Sequence, residues 1–269
     1  LYFGEYEKAN SLPWHYIPVW IFITSPILII IFSLIGMLLT SYIILKNLLN
    51  LSDENKLWSN VNEKRDFFML LYFFTPLIVI ILLDSTLYGG WRHLYFLYPS
   101  LVYFLIVTYE KTLKTIKLNN LKKMLVSFLF LMLSFNIFNL IKLHPYQNIY
   151  FNFLFEKKAN KLFEIDYWGL GNIEALRFIL NNNKSNKKIK VRTASFTPLN
   201  YSILLFKNSE IKNLILTGTE QSDQDFIFTN YIFESNPKLL EKYDIPKNYS
   251  MVYQLKRGNI ILNEIFRKD

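Results

Sequence analysis

Long stretches without an ionisable side chain dominate the first half of the chain, and short basic segments divide them. Ile17 to Leu45 is 29 residues free of charge, well beyond the roughly 20 helical residues that cross a hydrocarbon core. Pro18 and Pro26 fall in its first turns, so the regular helix is expected to begin near Pro26, after an interfacial stretch with Trp14, Tyr16 and Trp20. Phe67 to Leu83 is a second such run, with Pro76 predicting a kink, and Met124 to Ile141 is another. Between them, Leu94 to Tyr109 has 16 residues and reaches full length only if Trp91, Arg92 and His93 sit at headgroup depth. Buried helices of a soluble protein can imitate one short run, but several in succession with charged loops between them predict membrane spans at 17–45, 67–83, 94–109 and 124–141.

Beyond Lys142 the apolar runs shorten and turn residues appear. A helix capped by Asn172 is expected through Leu180, ending in the polar run 181–188 as an exposed loop. Ile189 to Thr193 alternates as a strand does, and Phe226 to Phe233 is rich in β-branched and aromatic residues. Met251 to Leu255 and Ile260 to Phe266 flank Arg257, Gly258 and Asn259, which predicts a closing hairpin. The expected architecture is a membrane α-helical bundle of about four transmembrane helices in residues 1–143, followed by a small α/β soluble domain in residues 144–269.

Charge sets the orientation. The loop at 46–65 holds Lys46, Lys56, Lys64 and Arg65, and the loop at 110–123 holds Lys111, Lys114, Lys117, Lys122 and Lys123, whereas 84–93 holds only Arg92. Basic loops stay in the cytoplasm, so residues 1–16, the Asp84 to His93 loop and the α/β domain are expected outside, in the periplasm of a bacterium. The net charge of +9 is spread over both halves, which favours anionic membrane lipids as partners and argues against a nucleic-acid surface. The chain has no cysteine and three histidines far apart in sequence. Disulfides and thiolate chemistry are thereby excluded, no metal-ligand spacing is visible, and no cofactor is evident. A divalent-metal requirement is left undecided. The opening at Leu1 has neither methionine nor a basic n-region, so it is read as a piece of a longer protein rather than a signal peptide.

Three clusters carry candidate chemistry. Gly89, Gly90, Trp91, Arg92, His93, Leu94 and Tyr95, with Asp84 upstream, stand where an outward loop enters a span. A guanidinium there, with an imidazole beside it, suits a lipid-linked phosphate through bidentate donation; the alternative is that Arg92 snorkels and Trp91 anchors. Glu5, with Trp14, His15 and Tyr16, could line a sugar or phosphate cleft, with Trp91, or form an interfacial belt. His144 to Asn152, followed by Asp166, Tyr167, Trp168 and Gly169, suits carbohydrate contact or the seating of one part of the protein on another.

In this order the clusters resemble the C-terminal part of bacterial polytopic glycosyltransferases of the GT-C class, similar to family 39 and the protein mannosyltransferase and aminoarabinose transferase group. The residues that carry the resemblance are Gly4-Glu5, Leu12 to Tyr16, Thr24-Ser25-Pro26, Gly90 to Tyr95 with Tyr98-Pro99, His144 to Gln147 with Tyr150 to Asn152, and Asp166 to Gly169. The resemblance implies transfer of a sugar from a polyprenyl-phosphate donor to an acceptor at the periplasmic face. It assigns the donor phosphate to Arg92 with His93 and Tyr95. It also implies catalytic carboxylates upstream of Leu1, in the remaining N-terminal part of the protein, and none among the residues here. The competing expectations are a non-enzymatic membrane-anchored module whose external domain binds envelope glycan or a protein, and a transporter. The latter is disfavoured by spans without internal charge.

Overall fold

The computed structural model describes residues 1–50, 58–182, 187–221, 223–234 and 236–269. Lys56 of the expected inward loop and residues 183–186 of the expected polar loop lie outside them. The chain divides into a helical unit, Ala9–Lys142, and an α/β unit formed by Leu1–Lys8 together with Leu143–Asp269. The first eight residues, expected with the helices, therefore group with the second half: Tyr2 bridges to Phe163, and the Gly4 amide donates to the Leu162 carbonyl at 3.0 Å.

The helical unit begins with α1 (Tyr16–Thr24) and α2 (Ile27–Leu49). What reads as one charge-free run is thus two helices. Ser25 is extended (ψ 150°), as a residue before proline tends to be, and Pro26 supplies no amide to continue the ladder. α3 (Val61–Leu82) starts at Asn60, whose side chain accepts the Glu63 amide at 3.0 Å, and continues through Pro76. A 3₁₀ turn, Arg92–Leu97, leads into α4 (Tyr98–Thr115), and α5 (Asn119–Leu143) follows.

Small residues bring α2 and α4 together. A Cβ on Gly36 would lie 2.2 Å from the Phe104 carbonyl oxygen, so only glycine admits the crossing. The Thr108 hydroxyl donates to the Phe32 carbonyl at 2.6 Å, and the Ser33 hydroxyl reaches Leu101. Among the described residues three helices are long and apolar enough to cross a membrane: Ile27–Leu49, Val61–Leu82 and Asn119–Leu143. The fourth expected span, 94–109, is shared between the 3₁₀ turn and α4 and is not one of those three.

The α/β unit contains a short helix α6 (Ala159–Leu162), α7 (Asn172–Asn181), and strands β1 (Ile189–Thr193), β2 (Leu214–Leu216), β3 (Phe226–Thr229), β4 (Tyr249–Arg257) and β5 (Ile260–Lys268). The sheet order is β2-β1-β3-β5-β4; β1 runs parallel to β2 and β3, and β5 is antiparallel to β3 and β4. Ala175, Leu176 and Ile179 of α7 bury against Ile189, Val191, Phe228 and Ile265 of the sheet, and Phe178 stacks on Tyr253 at 4.5 Å. Burial of this kind is what holds a short amphipathic helix whose own hydrogen bonds are too few to sustain it.

Two expectations need correction. Asn172 is not the cap of α7: Gly171 holds that position, and Asn172 is already helical. The Asp166 carboxylate instead organises the turn that leads into the helix, accepting the amides of Leu170 at 2.9 Å and of the cap residue Gly171 at 2.8 Å. The strand expected over Phe226–Phe233 stops at Thr229, and the chain turns through Tyr231, which has a positive φ of 60°.

Candidate functional site

The turn that carries Arg92 is built by glycine and tryptophan. Gly89 and Gly90 have φ of 65° and 72°, in the left-handed region that side chains disfavour, and a Cβ on Gly90 would touch the Trp20 ring at 3.4 Å. Trp91 is then driven inward: it is buried, and its indole nitrogen donates to Thr24 Oγ1 at 2.8 Å. The Leu87 amide donates to the Ala9 carbonyl at 3.0 Å, so this loop is also tied to the segment preceding α1.

On that fixed turn the Arg92 guanidinium lies 4.3 Å from the centroid of the Tyr88 ring, and its Nε is 3.3 Å from His93 Nε2. Tyr88 and His93 meet edge to face at 5.1 Å. The Tyr88 ring is a cation–π partner of the guanidinium. Tyr95 is exposed, with its ring against Trp91 at 4.9 Å. The structure thus brings Arg92, His93 and Tyr88 together, and Tyr88 is a member that spacing did not reveal. Trp91 supports the turn from beneath rather than lining a cleft. Trp14 is exposed and packs edge to face on His15 at 5.5 Å. Glu5 belongs to the α/β unit, in a turn where its amide and carbonyl bond Tyr2.

The third cluster forms an internal network in the α/β unit. The Tyr146 hydroxyl donates to Glu174 at 2.7 Å, Arg257 donates to the same carboxylate at 3.1 Å, and the Arg257 guanidinium lies 4.9 Å from the Tyr146 ring centroid. Burial, then the hydrogen bond to Glu174, pushes the Tyr146 phenol well above its usual range. Asn148 donates to Asp166 at 3.2 Å. Burial raises the Asp166 carboxyl, opposed by its three donors. These residues seat the hairpin tip and the start of α7 on the segment that follows α5. Glu174 and Arg257, far apart in sequence, carried no signal of this role.

Arg192 on β1 was also unforeseen. It is 1% exposed, and its Nη2 donates to the carbonyls of Lys242 at 2.6 Å and Asp244 at 2.9 Å. Burial lowers its pKa. It forms one wall of a cavity of about 670 Å³ with Gln221, Gln224, Asp244, Asn248 and Tyr249. Among the described residues no group of three or more His, Cys, Asp or Glu is placed to hold a metal ion. No family model, curated protein or solved structure matches the chain.

Proposed function

We propose that this chain is the C-terminal portion of an integral membrane glycosyltransferase that uses a polyprenyl-phosphate-linked sugar. In this reading the protein resides in a bacterial inner membrane, crosses it about four times, and holds its α/β unit in the periplasm. Arg92 grips the donor phosphate, with His93 as a second donor and Tyr95 beside it. Residues preceding Leu1 supply the general base that deprotonates the acceptor, so this chain contributes donor binding and stabilisation of the departing lipid phosphate.

The supporting observation is the Arg92 turn itself. A guanidinium held over Tyr88, on a loop stapled by Trp91 to Thr24, is preorganised, and preorganised donors are what charge developing on a leaving phosphate requires. The order of motifs that resembles the GT-C enzymes agrees with this. The test is binding of a fluorescent polyprenyl phosphate to the chain in nanodiscs. Arg92→Ala should weaken it about tenfold or more, as expected for loss of hydrogen bonds to a charged group worth ~1.5–3 kcal/mol. Arg92→Lys should fall between, because a point charge replaces a planar fork. Unchanged affinity in Arg92→Ala, with the variant folded, would overturn the reading.

A further inference from the structure

At the carboxyl ends of β1 and β3 lie loops whose own residues carry no exposed charged side chain. Three segments meet there. Residues 194–206 leave β1, residues 230–233 leave β3, and residues 166–171 lead into α7, which runs back along β1. They are joined directly: the Phe196 amide donates to the Ile232 carbonyl at 2.6 Å, and a Cβ on Gly169 would touch Thr197 at 3.0 Å. Their single ionisable acid, Asp166, is buried under the turn. The rest of the α/β unit is densely charged, so the gap is a local feature.

What these segments show to the outside is apolar and aromatic. Trp168, Phe196, Tyr201, Leu204 and Leu205 are each 56–77% exposed. Ile203 turns inward to the core, which fixes the 3₁₀ turn 202–205 so that its neighbours Leu204 and Leu205 point away. Large apolar side chains exposed together on joined loops in this way mark an interaction surface. Trp, Tyr and Leu together match what partitions into the headgroup layer of a bilayer, and exposed Lys207 and Lys212 just beyond outnumber the exposed acid between them, Glu210, as an anionic surface favours. The tether is also short, since the α/β unit begins at Leu143, the last residue of the membrane-length helix α5.

We infer that this edge of the α/β unit docks on the lipid surface, inserting Trp168, Phe196, Tyr201, Leu204 and Leu205 among anionic headgroups. The inference rests on the membrane residence proposed above, but not on sugar transfer. Because the chain has no cysteine, a single nitroxide can be placed at will on the full chain in phosphatidylglycerol-containing bilayers. Labels on Tyr201→Cys and Leu204→Cys should collide more with oxygen than with a water-soluble nickel chelate. The ratio should reverse for Lys188→Cys, at the opposite end of β1, and Leu131→Cys on α5 should report hydrocarbon.

Water-like ratios at 201 and 204, with Leu131→Cys still in hydrocarbon, would overturn docking alone. Exclusion of both collision partners at 201 and 204 would also overturn it, in favour of a protein cover. A water-like ratio at Leu131→Cys would instead overturn the membrane reading on which docking stands.

Discussion

At the scale of single residues, close approach decides what is allowed. Gly36 lets the α2 and α4 backbones touch, and its Cβ would meet the Phe104 carbonyl as well as Thr108 Oγ1 at 2.8 Å. Gly36→Ala should therefore push the helices apart at a cost of ~1–3 kcal/mol, typical of overpacking, read as earlier thermal unfolding in detergent. Tyr146 makes a second case. Its folded pKa is raised by burial and by donation to Glu174. The sign follows: its contribution is fully present below the unfolded value of about 10 and is lost as pH rises through the higher folded value. Tyr146→Phe should thus weaken the α/β unit at neutral pH and flatten its loss of stability in strong alkali; an unchanged alkaline limb would show that Tyr146 does not titrate with unfolding.

At the scale of elements, the closing hairpin is fixed by its tip. Gly258 has a φ of 59°, and Glu156 Oε1, which accepts the Asn259 amide at 3.0 Å, would stand 2.5 Å from a Cβ there. Gly258→Ala should cost at least the ~1–2 kcal/mol of a left-handed side chain, seen as a lower denaturant midpoint with an unchanged slope. This hairpin was legible because the turn residues Arg257-Gly258-Asn259 separate two largely apolar stretches, and β1 was legible from its alternation. β2 was not, since three apolar residues, Leu214 to Leu216, carry no periodic contrast. The start of α7 was misread because its acceptor, Asp166, precedes the helix by several residues, where a local capping pattern does not look. Arg192 reads as an outward strand position; only the distant 237–243 segment, folded over it, makes it buried. In the candidate site, Arg92 and His93 are neighbours and could be paired on sight, whereas the Trp91–Thr24 bond spans 67 positions and left no local trace.

At the scale of the whole molecule, everything proposed about lipid phosphate and lipid surface depends on which way the chain crosses. Five lysines gather in residues 110–123, at the end of α4 and the start of α5, whereas 84–93 holds only Arg92, an imbalance that under the proposed function leaves Arg92 and the α/β unit outside. The most direct measurement is labelling of single cysteines in intact bacterial cells with a membrane-impermeant maleimide. Lys247→Cys in the α/β unit should react at once, and Lys117→Cys between α4 and α5 only after the membrane is permeabilised. Immediate reaction at Lys117→Cys with protection at Lys247→Cys would put the Arg92 turn in the cytoplasm and contradict the account.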